Sequence, residues 1–186
     1  MKEKHIISLA GDLASGKGTV SKIIAERLNY GIYKNGEYFR KLAKEMNMDV
    51  TSFNIYVKDH PEIDRQIENS ATLYAKEHDE FIIDARLGWY AVPESYKVYL
   101  KVDTKVAAER AFNDVNRKAT ESFESIEEQE HDLIRRYNLE NERYFELYGV
   151  HKEDMSNYDL VVDTTMLTPE EVANKIIEDY KSWLEK

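Results

Sequence analysis

The 186-residue chain contains no cysteine, which excludes disulfides, thiolate metal sites and cysteine nucleophiles. Histidine is scarce. The five present (His5, His60, His78, His131 and His151) lie too far apart to show metal-ligand spacing. Basic residues are in deficit, 26 against 36 acidic ones, and the net charge of −10 argues against a nucleic acid polymer as partner. A local basic pocket for a small phosphate remains compatible with that balance. No apolar run approaches the length of a membrane span, so no membrane partner is expected. The charged N-terminus leads straight into an apolar strand, which predicts no signal peptide and a cytoplasmic location. Linkers, repeats and low-complexity tracts are lacking as well, so residues 1–186 read as one domain, long enough to bury a sizeable core.

Strand and helix signals alternate along the chain. Apolar runs predict strands at His5–Ala10, Asn29–Lys34, Phe81–Asp84, Tyr96–Val102 and Tyr158–Asp163. Helices are expected at Lys17–Leu28, Glu37–Asn47, from Pro61 to about His78, after the Asp103-Thr104 cap, and after Thr168-Pro169. A shorter helical piece is expected within Thr51–Asp59. The charged stretch from Asn113 to Tyr148 reads as two helices joined near Ser122–Ser125. Such βαβ alternation implies α/β architecture, a five-stranded parallel sheet with helices on both faces. Ligands in such folds lie beyond the carboxyl ends of the strands, where Gly11, Asp84 and Asp163 fall.

The most informative stretch is Ser8 to Thr19, where an apolar strand feeds a glycine-bounded loop and then an amphipathic helix. Gly11 and Gly16 permit backbone angles that aim amide N–H groups at an anion, and the helix N-terminus adds free donors and a positive dipole end. Lys17 would reach outer phosphates, and Thr19 would place a hydroxyl near metal-bound oxygens. Gly18 intervenes where the strict pattern has the hydroxyl residue. The competing reading is a turn that merely caps a helix.

Three further features bear on chemistry. Asp84 ends an apolar strand where it could hold metal-bound water beside Lys17. Arginines at helix starts or inner faces (Arg40, Arg86, Arg110, Arg117, Arg136 and Arg143) could supply the fixed positive charge that phosphoryl transfer needs, or could be solvated surface groups. The segment Val115–Tyr148 could be a mobile lid that excludes water, or a solvated helical hairpin. Tyr56, Tyr74, Trp89 and Tyr90 are candidates for stacking on a base.

At this point the motifs resemble a known family. Gly16-Lys17-Gly18-Thr19-Val20-Ser21-Lys22 is similar to the P-loop of nucleoside monophosphate kinases, above all cytidylate kinases, which carry glycine after the lysine. Gly36 to Ala43, Phe53-Asn54, His60 to Ile67, Asp84 to Trp89, the lid residues Arg136, Glu140, Arg143 and Tyr144, and Tyr158 to Thr164 resemble that family's segments in order. Three departures stand out: Ala14 and Ala85 replace glycines, and Leu87 replaces the acid of the bacterial motif. The resemblance implies a P-loop kinase fold with an acceptor-binding helical region (35–79) and a lid (113–148). It also implies ATP as donor, Mg2+, and phosphoryl transfer to a nucleoside monophosphate, CMP or dCMP before others, giving the diphosphate and ADP. Gly11, Asp12, Leu13, Ala14, Ser15, Gly16, Lys17, Gly18, Thr19 and Arg110 would bind ATP, with Thr19 and Asp84 at the metal. Arg40, Asp64, Arg86 and Glu140 would hold the acceptor, while Lys17, Arg86, Arg136 and Arg143 would act on the transferring phosphoryl group. A different small acceptor, or an ATP-binding regulatory role without catalysis, also fits these motifs, and the oligomeric state is left open.

Overall fold

A computed structural model describes residues 5–48, 52–53, 56–57, 59–114 and 123–185. Arg117 and the rest of 115–122 in the expected lid, with Thr51 and Asn54, lie outside the described residues. Five parallel strands form one sheet in the order β2-β3-β1-β4-β5, where β1 is Ile6–Gly11, β2 Gly31–Lys34, β3 Phe81–Asp84, β4 Tyr96–Lys101 and β5 Leu160–Asp163. The centre belongs to β1, every residue of which is buried. A strand covered on both faces needs apolar side chains in both directions. Ile7 and Leu9 accordingly enter one core, with Ile82, Val98 and Leu100, while Ile6 and Ala10 enter clusters on the opposite face.

Helices α1 (Lys17–Leu28) and α7 (Pro169–Leu184) cover the first face through Val20, Ile24, Val172, Ile176 and Tyr180. The start of α7 follows its sequence signals. Thr168 Oγ1 accepts from the Glu171 N–H, the Glu171 carboxylate accepts in return from the Thr168 N–H, and Pro169 occupies the first turn. On the second face α3 (Pro61–Glu77) contributes Ala71 and Ala75, and the single turn α4 (Gly88–Ala91) contributes Trp89. Helix α2 (Asn35–Glu45) starts two residues before its predicted boundary, because Asn35-Gly36 forms its first turn rather than the end of β2.

The described part of the expected lid is less detached than its charge suggests. Helix α6 (Ile126–Tyr148) is capped by the Ser125 hydroxyl, which accepts from the Glu128 N–H. It lies against α5 (Thr104–Asn113), where Leu133 joins Leu13, Ala107 and Ala111. Farther along, Tyr144 inserts beside Trp89, Tyr99 and Tyr158. A buried stripe on this charged helix packs α6 into the core, where charge alone left open a mobile lid or a solvated hairpin. Parallel register brings Lys34 opposite Asp84 and Lys101 opposite Asp163, so the carboxyl ends of the strands share one edge with the loop after β1.

Candidate active site

The loop Asp12–Gly16 leaves the centre of the sheet and enters α1 at Lys17. Gly16 caps α1 with φ 86°, a left-handed conformation that glycine adopts without cost. Ala14 is also left-handed, at φ 61°, where its methyl group is strained by roughly 1–2 kcal/mol. Glycine would adopt that conformation without the strain. Gly11 has a different role from the expected one. Its backbone is not left-handed, but a Cβ there would lie 2.7 Å from the Leu100 carbonyl oxygen and 2.9 Å from Leu100 Cβ. Glycine is needed at position 11 so that the root of the loop can lie flush on β4. The Asp12 carboxylate likewise faces the scaffold, accepting from Tyr99 Oη at 2.6 Å and from the Val102 N–H at 3.0 Å.

Two of the cavities at this edge are lined by Lys17. One, of about 510 Å³, is lined by residues 12–19 with Lys22, Lys34, Asp84, Arg86 and Arg110. The second, of about 440 Å³, is lined on the α2 and α3 side by Asn35, Phe39, Arg40, Asp64 and Glu68, and on the α6 side by Arg143 and Tyr144. Lys17, Lys34, Asp84 and Arg86 line both, so the cavities meet at these four side chains. Two ligands bound end to end would place their facing groups there. A larger hollow of about 1000 Å³ runs along the free edge of β5, past Val161, Met166 and Lys175, and contains no residue of the loop. The chemistry-bearing side chains converge in the smaller pair.

Charge at the junction is positive although the chain is strongly acidic. Lys17 Nζ donates to Asp84 Oδ1, both groups being nearly buried. Burial lowers the Lys17 pKa below its usual range, opposed by the Asp84 carboxylate. Arg86 Nε donates to Glu140 Oε2 at 2.7 Å, and Lys152 Nζ donates to the same oxygen at 2.8 Å. Burial raises the Glu140 pKa, but Arg86 and then Lys152 outweigh it and hold the carboxyl at about 2. Across the second cavity, Asp64 faces Arg143 at 3.9 Å and Tyr148 Oη at 3.5 Å. One turn later on α3, Glu68 accepts from Asn35 Nδ2 at 3.1 Å. Its pKa is pushed up to about 7, first by burial and then by the Asp64 charge.

Most of the residues singled out in the sequence do converge. The loop residues, Lys17, Thr19, Asp84, Arg86 and Arg110 line the first cavity, and Arg40, Asp64 and Arg143 line the second. Arg110 also ties the site to the last strand, donating to the Thr164 carbonyl at 2.7 Å and the Thr165 carbonyl at 3.2 Å. Arg136 is not brought in. It lines neither cavity and faces Asp132 one turn back on α6 at 3.8 Å. Glu140 reaches the site only through Arg86. Tyr56, Tyr74, Trp89 and Tyr90 line neither cavity, and Trp89 is core; Phe39 and Tyr144 are the aromatic residues at the second one.

Lys34, Glu68 and Lys152 were missed. Lys34 at a strand end before a helix, and Glu68 four residues after Asp64, carried a positional signal. Lys152, in the connection after α6, carried none.

The profile of a family described as an AAA domain matches residues 7–135. A cytidylate kinase of Thermoplasma volcanium is 35% identical over 172 residues, covering 90% of this chain and 86% of that protein. A second cytidylate kinase, from Pyrococcus horikoshii, is 35% identical over 173 residues, covering 92% and 85%. Among solved structures, a shikimate kinase from Bacteroides thetaiotaomicron superposes with a TM-score of 0.65 at 15% identity, covering 98% of this chain and 99% of that one. At that identity the likeness is one of fold. Sequence and fold together place the chain in the cytidylate kinase-like family of P-loop nucleoside monophosphate kinases.

Proposed function

We propose that the protein transfers the terminal phosphoryl group of ATP to a nucleoside monophosphate, with CMP or dCMP preferred, giving ADP and the diphosphate. The observation that carries this reading is the meeting of two cavities at Lys17, Asp84 and Arg86. The transition state spreads charge over phosphate oxygens, so catalysis rests on positioning and fixed positive charge. Amides of Leu13 to Thr19, with Lys17, would hold the donor phosphates. Arg40 and Arg86 would orient the acceptor phosphate for in-line attack, and Arg143 would add charge from α6. An acceptor phosphate oxygen is already anionic, so no general base is required.

Thr19 and Asp84 line the donor cavity and offer one hydroxyl and one carboxylate oxygen. That sparse set fits Mg2+ carried in by its nucleotide, since the ion keeps water and phosphate ligands and takes only one or two carboxylates from protein. When bound, Mg2+ would supply positive charge to the phosphate oxygens. Asp64 and Glu68, in the acceptor cavity, offer carboxyl oxygens that suit the exocyclic amine of cytosine, a group uracil lacks. The test is coupled ADP release with CMP, dCMP, UMP, AMP and GMP in turn. ADP should accumulate only with an acceptor present, fastest with CMP or dCMP. Release that ignores the acceptor, or none with any of the five, overturns the reading.

A further inference from the structure

Among the described residues Lys152 is the least expected charge, an ammonium with a relative exposure of 1% in the connection between α6 and β5. Burying a cation costs several kcal/mol unless it is paired. Its partner is Glu140, on α6, and that carboxylate oxygen also receives Arg86 Nε. The ammonium also lies 4.7 Å from the centre of the Tyr137 ring and 6.0 Å from that of Tyr144. Tyr158 Oη, donating to the Lys152 carbonyl at 2.8 Å, fixes the backbone beneath it. The left-handed Gly149 after α6 turns the chain back, which lets residue 152 meet residue 140. Three charges from three separate elements are thus linked in one line that ends at the junction of the two cavities.

We infer that Lys152 is a positioning residue for phosphoryl transfer: it pins Glu140, which holds Arg86 by Nε and leaves the two terminal guanidinium nitrogens to grip the acceptor phosphate. This inference rests on the reading of Arg86 as an acceptor-phosphate ligand. A guanidinium gains its advantage over an ammonium from a fixed two-pronged fork, and that advantage is lost if the plane can swing. Glu140 alone would fix the plane at one point through a carboxylate free to rotate. The second donor, Lys152, removes that rotation. It also keeps the carboxylate ionised, because a shared anion between two cations stays charged.

The test is a double-mutant cycle read on the acceptor. Losing one charge-assisted hydrogen bond is worth about 1.5–3 kcal/mol, or roughly 10- to 100-fold. In Lys152→Met the KM for CMP should rise at least about tenfold while the KM for ATP stays within about twofold. Placed in an Arg86→Lys background, which has no fork to orient, Lys152→Met should add almost nothing. An unchanged CMP KM, a parallel rise for ATP, or additivity with Arg86→Lys overturns the inference and indicates a merely structural lysine. Should Lys152→Met not fold, Glu140→Gln breaks the line one step nearer the site and must give the same acceptor-specific rise.

A second readout needs no acceptor. Hydrogen exchange of Arg86 Nε–H, followed by NMR, should quicken at least about tenfold in either variant, and an unchanged rate again overturns the inference. Wild-type protein that phosphorylates none of the monophosphates refutes the proposed function. The exchange measurement then still decides the role of Lys152 in holding Arg86.

Discussion

Glu68→Gln should stabilise the protein in alkaline but not in acidic solution. Glu68 is 8% exposed, sits one turn from the 5% exposed Asp64, and has Asn35 Nδ2 as its hydrogen-bond donor. Burial and the Asp64 charge raise its pKa from 4.5 to about 7 in the folded chain. Between those two values the folded protein holds a proton that the unfolded chain has released. Stability therefore falls as pH rises across that window, and the full penalty stands above about pH 7. At about 1.4 kcal/mol per pH unit, the interval amounts to about 3 kcal/mol. Glutamine keeps the shape and an acceptor for Asn35 but has no proton to lose. Urea unfolding of both proteins from pH 5 to pH 8 should therefore show a lead for the variant of under about 1 kcal/mol at pH 5, where the window has only just opened. At pH 8 the variant should be ahead by up to about 3 kcal/mol, roughly 6–12 °C in Tm for a chain of this length. Glu140, held at about 2, titrates below this window and is common to both proteins, so it cancels in the difference. A stability difference that is flat from pH 5 to pH 8 would refute the argument that Glu68 is buried beside a charged Asp64.

Three other expectations follow from the loop. Lys17→Met should lower the ADP-release rate by roughly 10²–10³-fold, the usual cost of removing one preorganised donor from a charge-developing site, while circular dichroism stays native; turnover near wild type would remove Lys17 from the mechanism. Gly11→Ala should destabilise by roughly 1–3 kcal/mol in thermal unfolding, because the added methyl meets backbone at 2.7 Å and neither strand can yield cheaply. An unchanged Tm would show that β1 and β4 are not so closely apposed. Ala14→Gly relieves a left-handed alanine at the cost of a looser unfolded chain, so stability should hold or rise. A loss above about 1 kcal/mol would refute the strain assigned to position 14.

The strands and helix caps were legible because they depend on near neighbours. Phe81–Asp84 and Lys17–Leu28 have the predicted boundaries, and the Thr168 cap closes as its spacing required. The loop after β1 was legible for the same reason, as a strand, a glycine-bounded turn and a helix in sequence. Its individual residues were read less well. Gly11 reads as a residue that frees backbone angles for an anion-binding turn and is a close-packing contact, since the distance to Leu100 depends on strand pairing across 89 positions of chain. Arginines read as one class divide on folding: Arg86 and Arg143 line the cavities and Arg136 lines neither, because helix phase against a distant partner decides it.

Sequence by itself determined the order of the strands along the chain, the phosphate-cradling loop with Lys17, the acid at the end of β3 and the kinase family. Each of these is local, written in spacings of two to four residues or in a short continuous motif. Tertiary structure alone decided which charges share a cavity. Lys34 and Asp84 meet because β2 lies beside β3, and Lys152 reaches Glu140, and through it Arg86, because the chain turns back after α6. Burial then sets their protonation, which raises Glu68 to about 7 and holds Glu140 at about 2 although both are glutamates on helices. Dielectric surroundings and long-range partners are properties of the folded arrangement, and no local pattern in the chain encodes them.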